Sequence, residues 1–406
     1  MMAIRFLTLL LINSAALIIF LQQPTPQYTI DDTFILGTQW SHSGDMIAAV
    51  GVRPADSRSI VRVANVTTGQ TVYEDTQSFG GPLTVSWSPN DRFLAIGGYD
   101  ATIRVLDLHS ETIVATLLGH QSTVTHVDWS PDGTRLVSSG NWDQLVILWD
   151  MLSYQPLETV DVGDVWTAVF SPDGDQIAVG TTRGLLLLPA AMQVGGPLEQ
   201  GQYLSITDTT PTAISWNSTG ERLVIGTQSI LRRGAEIIIV DAVAMTSLIR
   251  FPTHEEAIYG MDWTRDEQRV FTYSTDGNVN VWDVGSQTLI NTYIGTNVYP
   301  ASLDLSPFEG RLAYGLIIPP ENIDDIRAFG SNGFDGLGVE IVVPDPSLER
   351  LQSIAESCGA AQLIGETVTD AALSTVITQL EAATAEQIPP ACAADLIAIA
   401  EAIQNQ

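Results

Sequence analysis

The sequence predicts an all-β fold, a seven-bladed β-propeller, followed by a small C-terminal α-helical module. One phrase of strand, turn and strand recurs seven times along the chain. The copies are 47, 42, 41, 46, 47 and 42 residues apart, and they begin at Trp40, Trp87, Trp129, Phe170, Trp216, Trp263 and Leu305. A self-similar period of this length, built from about four short strands, is typical of propeller blades.

Each phrase has the composition of a β-hairpin. In WSPDGTRLVSSG, at 129–140, an aromatic residue ends one strand, a Pro-Asp-Gly turn follows, and the next strand alternates apolar positions. A third apolar run comes after it, here LVILWD at 145–150. We assign residues 27–345 to the propeller, since closing the repeats into a ring removes the exposed edges that a linear array would leave.

The composition changes at Pro344-Asp345-Pro346, and residues 346–406 read as helical. Apolar residues recur there at spacings of three and four over three stretches, about 347–358, 370–383 and 391–403. The only two cysteines, Cys358 and Cys392, both lie in this module. An even count in an exported protein favours a disulfide between them. Two small buried apolar residues are the alternative interpretation.

Residues 1–23 are predicted to be a signal peptide or an N-terminal membrane anchor. Arg5 precedes an apolar run from Phe6 to Leu21, which has the composition of a secretory signal and is short for a membrane span. No small-residue cleavage motif follows closely, so the uncleaved anchor stays open. In either case we expect the remainder of the protein to lie outside the cytoplasm.

The charge balance excludes several classes of function. The chain has 17 basic and 47 acidic residues, a formal net charge of −30, and every basic residue is arginine. This charge opposes binding to nucleic acid, and the lack of lysine excludes Schiff-base chemistry. The sequence contains no nucleophile elbow, no HExxH zinc motif and no dinucleotide-binding fingerprint. We therefore predict no catalytic residue, no metal and no cofactor.

The repeats resemble those of the WD-repeat β-propellers. The resemblance is strongest at Gly119-His120 with Trp149-Asp150, and at His254 with Trp282-Asp283. In that family a His, a Ser or Thr, an Asp and the Trp form a hydrogen-bonded set inside a blade. Matched residue by residue, the resemblance implies two such sets, which are His120, Ser139, Asp143 and Trp149, and His254, Thr272, Asp276 and Trp282. It also implies that residues 27–31 supply the outer strand of the last blade.

The resemblance further implies a ligand-binding face at the mouth of the central channel. In the family, this face carries the connections between blades and the turns between the second and third strands. In this chain the same positions hold aromatic residues and arginines, which are Tyr99, Trp142, Trp166, Tyr259, Arg53, Arg58, Arg183, Arg232, Arg233 and Arg327. Planar apolar groups beside bidentate donors suit a protein or peptide partner, an anionic one included.

We expect an exported, non-enzymatic propeller scaffold that presents this face to a ligand or protein. Two other classes stay open, an extracytoplasmic propeller enzyme of the hydrolase or lyase class and a purely structural surface protein. An enzyme would require acid and base groups that converge at the channel mouth. The sequence places arginines and aromatic residues there instead.

Overall fold

A computed structural model describes residues 28–30, 34–53, 58–66, 68–190, 201–229, 234–294, 299–305, 311–317, 337–341 and 373–381, with isolated residues between 351 and 403. Most of the described chain is in 28 β-strands. These strands form seven antiparallel sheets of four strands each. The prediction of an all-β propeller is confirmed.

The sheets follow one another along the chain. Strand β1 (Tyr28–Ile30) belongs to the last sheet. Blade 1 contains β2 (Phe34–Trp40), β3 (Met46–Arg53), β4 (Arg58–Asn65) and β5 (Thr71–Asp75). Blade 2 contains β6 (Pro82–Trp87), β7 (Phe93–Gly98), β8 (Thr102–Asp107) and β9 (Thr112–Leu118). Blade 3 contains β10 (Val124–Trp129), β11 (Arg135–Gly140), β12 (Leu145–Asp150) and β13 (Gln155–Asp161).

The next three blades repeat this arrangement. Blade 4 contains β14 (Val165–Phe170), β15 (Gln176–Thr181), β16 (Gly184–Pro189) and β17 (Gln202–Ser205). Blade 5 contains β18 (Thr209–Trp216), β19 (Arg222–Ser229), β20 (Glu236–Asp241) and β21 (Thr246–Pro252). Blade 6 contains β22 (Ile258–Trp263), β23 (Arg269–Ser274), β24 (Val279–Asp283) and β25 (Thr288–Ile294).

The last sheet combines strands from both parts of the chain. It contains β26 (Tyr299–Leu305), β27 (Arg311–Ile317), β28 (Leu337–Ile341) and, as its outer strand, β1. Strand β1 pairs antiparallel with β28, with Tyr28 opposite Val339. The expectation that the N-terminal segment supplies this outer strand is confirmed.

Apolar side chains between neighbouring sheets form the core. The middle strands are buried on both faces, as in β7, where Leu94, Ala95 and Ile96 are at most 2 % exposed. Strands covered on both sides need apolar residues at consecutive positions. The outer strands alternate instead, since only one of their faces is covered, and β9 is the clearest example. The first strand of every phrase is here called the inner strand. The inner strands lie at the opposite edge of each sheet from the outer strands and surround a central channel.

Side chains at the ends of the inner strands join several of the blades to the next one. We call these positions the belt; its residues are Gln39, Ser86, Asp128, Val169, Ser215, Asp262 and Asp304. Four belt side chains accept a backbone N–H of the following blade, from Trp87 to Gln39 at 2.6 Å, Trp129 to Ser86 at 3.3 Å, Phe170 to Asp128 at 2.8 Å and Trp40 to Asp304 at 2.5 Å. The bond from Trp40 to Asp304 joins the first blade to the last and closes the ring.

Three belt residues are carboxylic acids with a raised pKa. Burial raises the pKa of Asp128 to about 7 and that of Asp262 to about 6. Burial also raises the pKa of Asp304 well above its ordinary value, and the charge of Asp262 raises it further. Each acid accepts a backbone N–H, which favours the charged form, but the loss of water around the carboxylate outweighs this effect.

Blade 6 contains the hydrogen-bonded set that the resemblance implies. His254 Nδ1 lies 2.9 Å from Asp276 Oδ2, and His254 Nε2 lies 2.7 Å from Thr272 Oγ1. The indole N–H of Trp282 donates to the same hydroxyl oxygen at 2.9 Å. The set therefore pairs the buried polar atoms of four side chains inside one blade.

Blade 3 contains the second set, with one correction. His120 Nδ1 lies 2.9 Å from Asp143 Oδ2, as expected. The hydroxyl is that of Ser138, which lies 2.8 Å from His120 Nε2 and accepts the indole N–H of Trp149 at 2.8 Å. The prediction of Ser139 is wrong, because neighbouring residues of a strand face opposite sides of the sheet. Ser138 stands at the same distance from the start of its phrase as Thr272 does in blade 6.

The structure describes one helix in the C-terminal module. Helix α1 (Leu373–Glu381) coincides with the second predicted stretch and packs in a buried apolar cluster. Cys392 is fully buried in this cluster. Cys358 and most of the other predicted helical residues lie outside the described residues, so the disulfide and the remaining helices stay predictions.

No helix within the described residues is both long and apolar enough to cross a membrane. The predicted signal or anchor, residues 1–23, lies outside that part of the chain.

Replacing Ser138 with Ala should lower the free energy of unfolding by about 1–3 kcal/mol, because His120 and Trp149 lose the hydroxyl that they share. Equilibrium unfolding in urea measures this loss. Ser139→Ala is the matched control, since it removes the same atom from the same strand but only a 3.4 Å contact with Thr125. Equal losses for the two variants would contradict the corrected set.

Replacing Asp262 with Asn should change the pH dependence of stability. The pKa of Asp262 is about 6 in the folded protein and about 4 in the unfolded chain. Between these two pH values the unfolded chain releases the proton more readily, so the free energy of unfolding falls as the pH rises from about 4 to about 6. Asn keeps an acceptor oxygen and carries no charge. The variant should therefore match the wild type near pH 4 and exceed it in unfolding free energy at pH 8, as measured by urea unfolding.

Asp107→Asn is a control of opposite sign for this experiment. Arg92 binds both oxygens of Asp107, at 2.7 and 3.1 Å, and this hydrogen bonding lowers the pKa of Asp107 to about 2. The stability from Asp107 is present at neutral pH and is lost in acid. Its Asn variant should be weaker than the wild type at pH 8, and a gain there would overturn the electrostatic argument.

Candidate functional site

Every inner strand carries a β-bulge near its start. The pairing register shifts at one residue in each of the seven inner strands. The bulged residues are Leu36, Leu83, Thr125, Trp166, Thr212, Tyr259 and Ala301. A bulge redirects its side chain, and the first six of these residues line the central channel.

Two bulged residues, Trp166 and Tyr259, bring aromatic rings together across the channel. Their ring centroids are 6.2 Å apart and the ring planes are inclined by 60°. The rings come from blades 4 and 6, and burial raises the pKa of Tyr259. The indole N–H of Trp166 is buried and has no hydrogen-bond partner among the described residues. The pair therefore offers two ring surfaces and one donor.

The channel behind this pair has a volume of about 480 Å³. The belt lies three residues further along the inner strands, about 10 Å from the aromatic pair. Asp128, Asp262 and Asp304 line the channel at that end. His126 also lines it, and burial lowers the pKa of His126 to about 4, so the imidazole is neutral at pH 7. No arginine stands among the described lining residues, and burial shifts the carboxyl groups of Asp128, Asp262 and Asp304 toward their protonated forms.

The predicted rim aromatics lie on the same face as the aromatic pair. Inner strands begin, and second strands end, on one side of an antiparallel blade. We call this side the aromatic face. Tyr99 follows β7 and is 57 % exposed, whereas Trp142 follows β11 and is 81 % exposed. The structure thus separates the four predicted aromatics into a contacting pair in the channel and two solvent-exposed rings on the rim.

Two of the predicted arginines have described side chains. Arg58 begins β4 and Arg183 lies in the turn before β16, and both are exposed on the aromatic face. Arg53 pairs with Arg58 through the backbone of β3 and β4. The side chains of Arg53, Arg232, Arg233 and Arg327 lie outside the described residues, so their part in a binding face stays a prediction.

The belt carboxylates were absent from the sequence prediction. The sequence feature that could have identified them is their position, because each belt residue stands directly before the first residue of a phrase. Read down the seven phrases, this position holds Gln, Ser, Asp, Val, Ser, Asp and Asp. Only the closed ring shows that these positions meet at one end of a channel.

Comparison with known proteins identifies three of the repeats. Residues 73–107, 111–150 and 245–283 match the family model of the WD domain, G-beta repeat. The second and third of these stretches contain the complete hydrogen-bonded sets of blades 3 and 6.

Several curated proteins match longer stretches. Transducin beta-like protein 3 of Rattus norvegicus is 36 % identical over 107 residues, 26 % of this chain and 13 % of the relative. WD repeat-containing protein AAC3 of Dictyostelium discoideum is 22 % identical over 239 residues, 52 % of this chain and 48 % of the relative. WD repeat-containing protein 82 of Drosophila melanogaster is 25 % identical over 205 residues, 50 % of this chain and 63 % of the relative.

The matched part spans less than two thirds of each of these three relatives. The matched repeats nevertheless agree with the sheets, and the hydrogen-bonded sets occupy the positions that the WD resemblance implied. Three repeats of the chain match the WD domain model, and the fold and the hydrogen-bonded sets are consistent with a WD-repeat family.

Proposed function

We propose that this protein is an exported or membrane-anchored scaffold without enzymatic activity, which binds a protein or peptide partner on the aromatic face. WD-repeat propellers typically take part in protein interactions, and this chain carries such repeats. The observation that carries the proposal is the placement of Trp142 and Tyr99, exposed, on the same side as the Trp166–Tyr259 pair. Trp and Tyr are the residues that most often dominate binding energy at protein interfaces.

The rim also supports an interaction with acidic groups. Arg58 and Arg183 are exposed on the aromatic face of a chain with a net charge of −30. Guanidinium groups bind carboxylates and phosphates through paired hydrogen bonds. We propose that these arginines contact anionic groups of the partner at the edge of the interface.

The channel supports a scaffold rather than an enzyme. Its acids are engaged in the ring, since Asp128 accepts the N–H of Phe170 and Asp304 accepts the N–H of Trp40. A general acid or base needs a free position beside its substrate. The belt acids have a structural partner at that position instead.

Export and the disulfide are proposed together. A bridge between Cys358 and Cys392 would persist only outside the reducing cytoplasm. Protein purified from its native host should then carry no free thiol, and its intact mass should rise by two hydrogens on reduction. Sequencing of the native N-terminus should show either cleavage after the apolar run or an intact anchor. Complete thiol labelling without reduction would contradict the bridge.

The binding face is tested by capture of partners from the native host. Trp142→Ala and Tyr99→Ala should each weaken capture by about 1–2 kcal/mol or more, because each removes an aromatic contact from the interface. Quantitative binding of the captured partner measures the loss, and thermal unfolding confirms an intact fold.

Leu152→Ala is the matched control for this test. Leu152 belongs to the same blade as Trp142 and is 92 % exposed, but it lies in the turn between the third and fourth strands, on the opposite face. The control should bind like the wild type. A partner that tolerates both aromatic changes, or that depends equally on Leu152, would contradict the proposed face.

A further inference from the structure

One position of the repeat distinguishes blade 2 from most of the other blades. The seventh residue of a phrase is arginine in four of the seven copies, which are Arg135, Arg222, Arg269 and Arg311. In blade 2 the seventh residue is Phe93. A phenyl ring has no hydrogen-bond donor, so Phe93 cannot make the polar contacts of an arginine.

Arg135 of blade 3 shows what such an arginine does. Its guanidinium donates to the carbonyl oxygen of Ala190 at 2.7 Å and to that of Gly174 at 3.0 Å, both in blade 4. It also lies over the ring of Phe170, 5.6 Å from the ring centroid. The junction between blades 3 and 4 is therefore filled by a guanidinium that lies between one aromatic ring and two backbone carbonyl groups.

The backbone has the same conformation at the preceding junction, between blades 2 and 3. Gly133 has a φ of 70° and Gly174 a φ of 76°. Both donate their N–H to the serine three residues earlier, at 2.8 Å. Met151 and Ala190 each donate their N–H to the carbonyl oxygen of the residue after that glycine, at 2.9 and 2.7 Å. The carbonyl groups of Gly133 and Met151 therefore occupy the same positions in blade 3 as those of Gly174 and Ala190 in blade 4.

The side chains at this junction leave a cavity of about 160 Å³ on the face opposite the aromatic face. We call it the junction pocket; Phe93, Trp129, Asp132, Gly133 and Met151 are among its lining residues. The indole of Trp129 stacks on Phe93 with 6.4 Å between ring centroids. Gly133 is partly exposed, whereas its counterpart in blade 4 is buried. The pocket thus lies in the place that an arginine fills one junction further along the ring.

The charge at the junction pocket favours a cation. Asp132 is the charged residue of the described lining, and it is exposed. The hydroxyl of Ser130 donates to its carboxylate at 2.6 Å, which lowers the pKa of Asp132, so the group is charged at neutral pH. Arg92 lies over Phe93, but both oxygens of Asp107 bind this guanidinium and balance its charge.

We propose that the junction pocket binds an arginine side chain of a second protein. The incoming guanidinium lies on the indole of Trp129, donates to the carbonyl oxygens of Gly133 and Met151, and has the Asp132 carboxylate beside it. Arginine fits this place better than lysine, because a planar fork can donate to two carbonyl groups while its face lies on a ring. The site is separate from the aromatic face and does not depend on the function proposed for that face.

The test uses short, glycine-rich, acetylated peptides with one central residue, which is arginine in one peptide and its neutral analogue citrulline in the other. Ligand-observed NMR titration of the full chain is carried out at physiological ionic strength, where distant charges are screened. The arginine peptide should bind saturably, and the citrulline peptide should bind about ten-fold more weakly because it lacks the charge. No saturable binding of the arginine peptide, or equal binding of both, would overturn the pocket.

Two single variants with the same change in net charge locate the arginine peptide. Asp132→Asn removes the carboxylate of the junction pocket, and Asp173→Asn removes the corresponding carboxylate of blade 4, where Arg135 already fills the junction. The two carboxylates are matched, since each is exposed and accepts the hydroxyl of the serine two residues earlier, at 2.6 and 2.5 Å. Asp132→Asn should weaken binding by about three-fold or more, and Asp173→Asn should leave it unchanged. Equal affinities of the two variants would show that the peptide binds elsewhere.

A change at the seventh phrase position tests where the guanidinium lies. Phe93→Arg should fill the pocket from within, as Arg135 does one junction further on, and binding of the arginine peptide should fall by about ten-fold or more. Arginine stands at this position in four other phrases, so thermal unfolding should change little. Phe93→Leu is the matched control, since it removes the same ring without adding a donor, and it should keep binding the peptide.

The outcomes of this pair are decisive in both directions. Undiminished binding to Phe93→Arg, or an equal loss in both Phe93 variants, would overturn the proposed position of the guanidinium. Loss in Phe93→Arg alone would support it. If Phe93→Arg does not fold, the comparison of Asp132→Asn with Asp173→Asn still decides whether the arginine peptide occupies the pocket.

Discussion

At four junctions between blades the same interaction recurs, a backbone N–H that donates to a side chain of the preceding blade. Apolar packing between blades is strong but has little directionality, whereas a hydrogen bond between inner strands sets the position of one blade against the next. The most demanding case joins Trp40 to Asp304, which are 264 positions apart in the chain.

This interaction links the architecture to the chemistry of the interior. The belt residues Asp128, Asp262 and Asp304 also line the channel, so their carboxyl groups determine the chemistry of this end of its wall. At the other end of the same strands, each bulge interrupts the regular pairing and redirects one side chain toward the channel. An inner strand therefore holds the ring together at one end and displays Trp166 or Tyr259 at the other.

The sequence predicts much of this arrangement because the repeat is local. The phrase spacing identified the sheets, and the WD resemblance identified seven of the eight residues in the hydrogen-bonded sets. Ser139 failed because a shift of one residue in a strand reverses the side chain, and two adjacent serines look alike in sequence. Trp166 and Tyr259 were predicted to lie on the ligand-binding face, but their contact was not predicted. Their contact depends on bulges in two blades that are far apart in the chain, which no local pattern records.

The belt acids show a second limit of sequence reasoning. Asp128, Asp262 and Asp304 look like ordinary strand residues with a solvated carboxylate, because alternation predicts an exposed position there. The closed ring turns that exposed side toward an enclosed channel. The raised pKa values of Asp128 and Asp262 follow from this enclosure, which is a property of the whole ring.

The pairing of β1 with β28 has a consequence for how the protein is made. The outer strand of the last blade is synthesised before the other propeller strands, and its partner at Leu337–Ile341 is the last of them. Closing so long a loop is slow compared with the formation of hairpins within a blade. Until this pairing forms, the completed blades make up an open ring whose two end blades each expose an apolar sheet face. Time spent as that open ring, more than the stability of any single blade, should govern how much of the newly made protein aggregates.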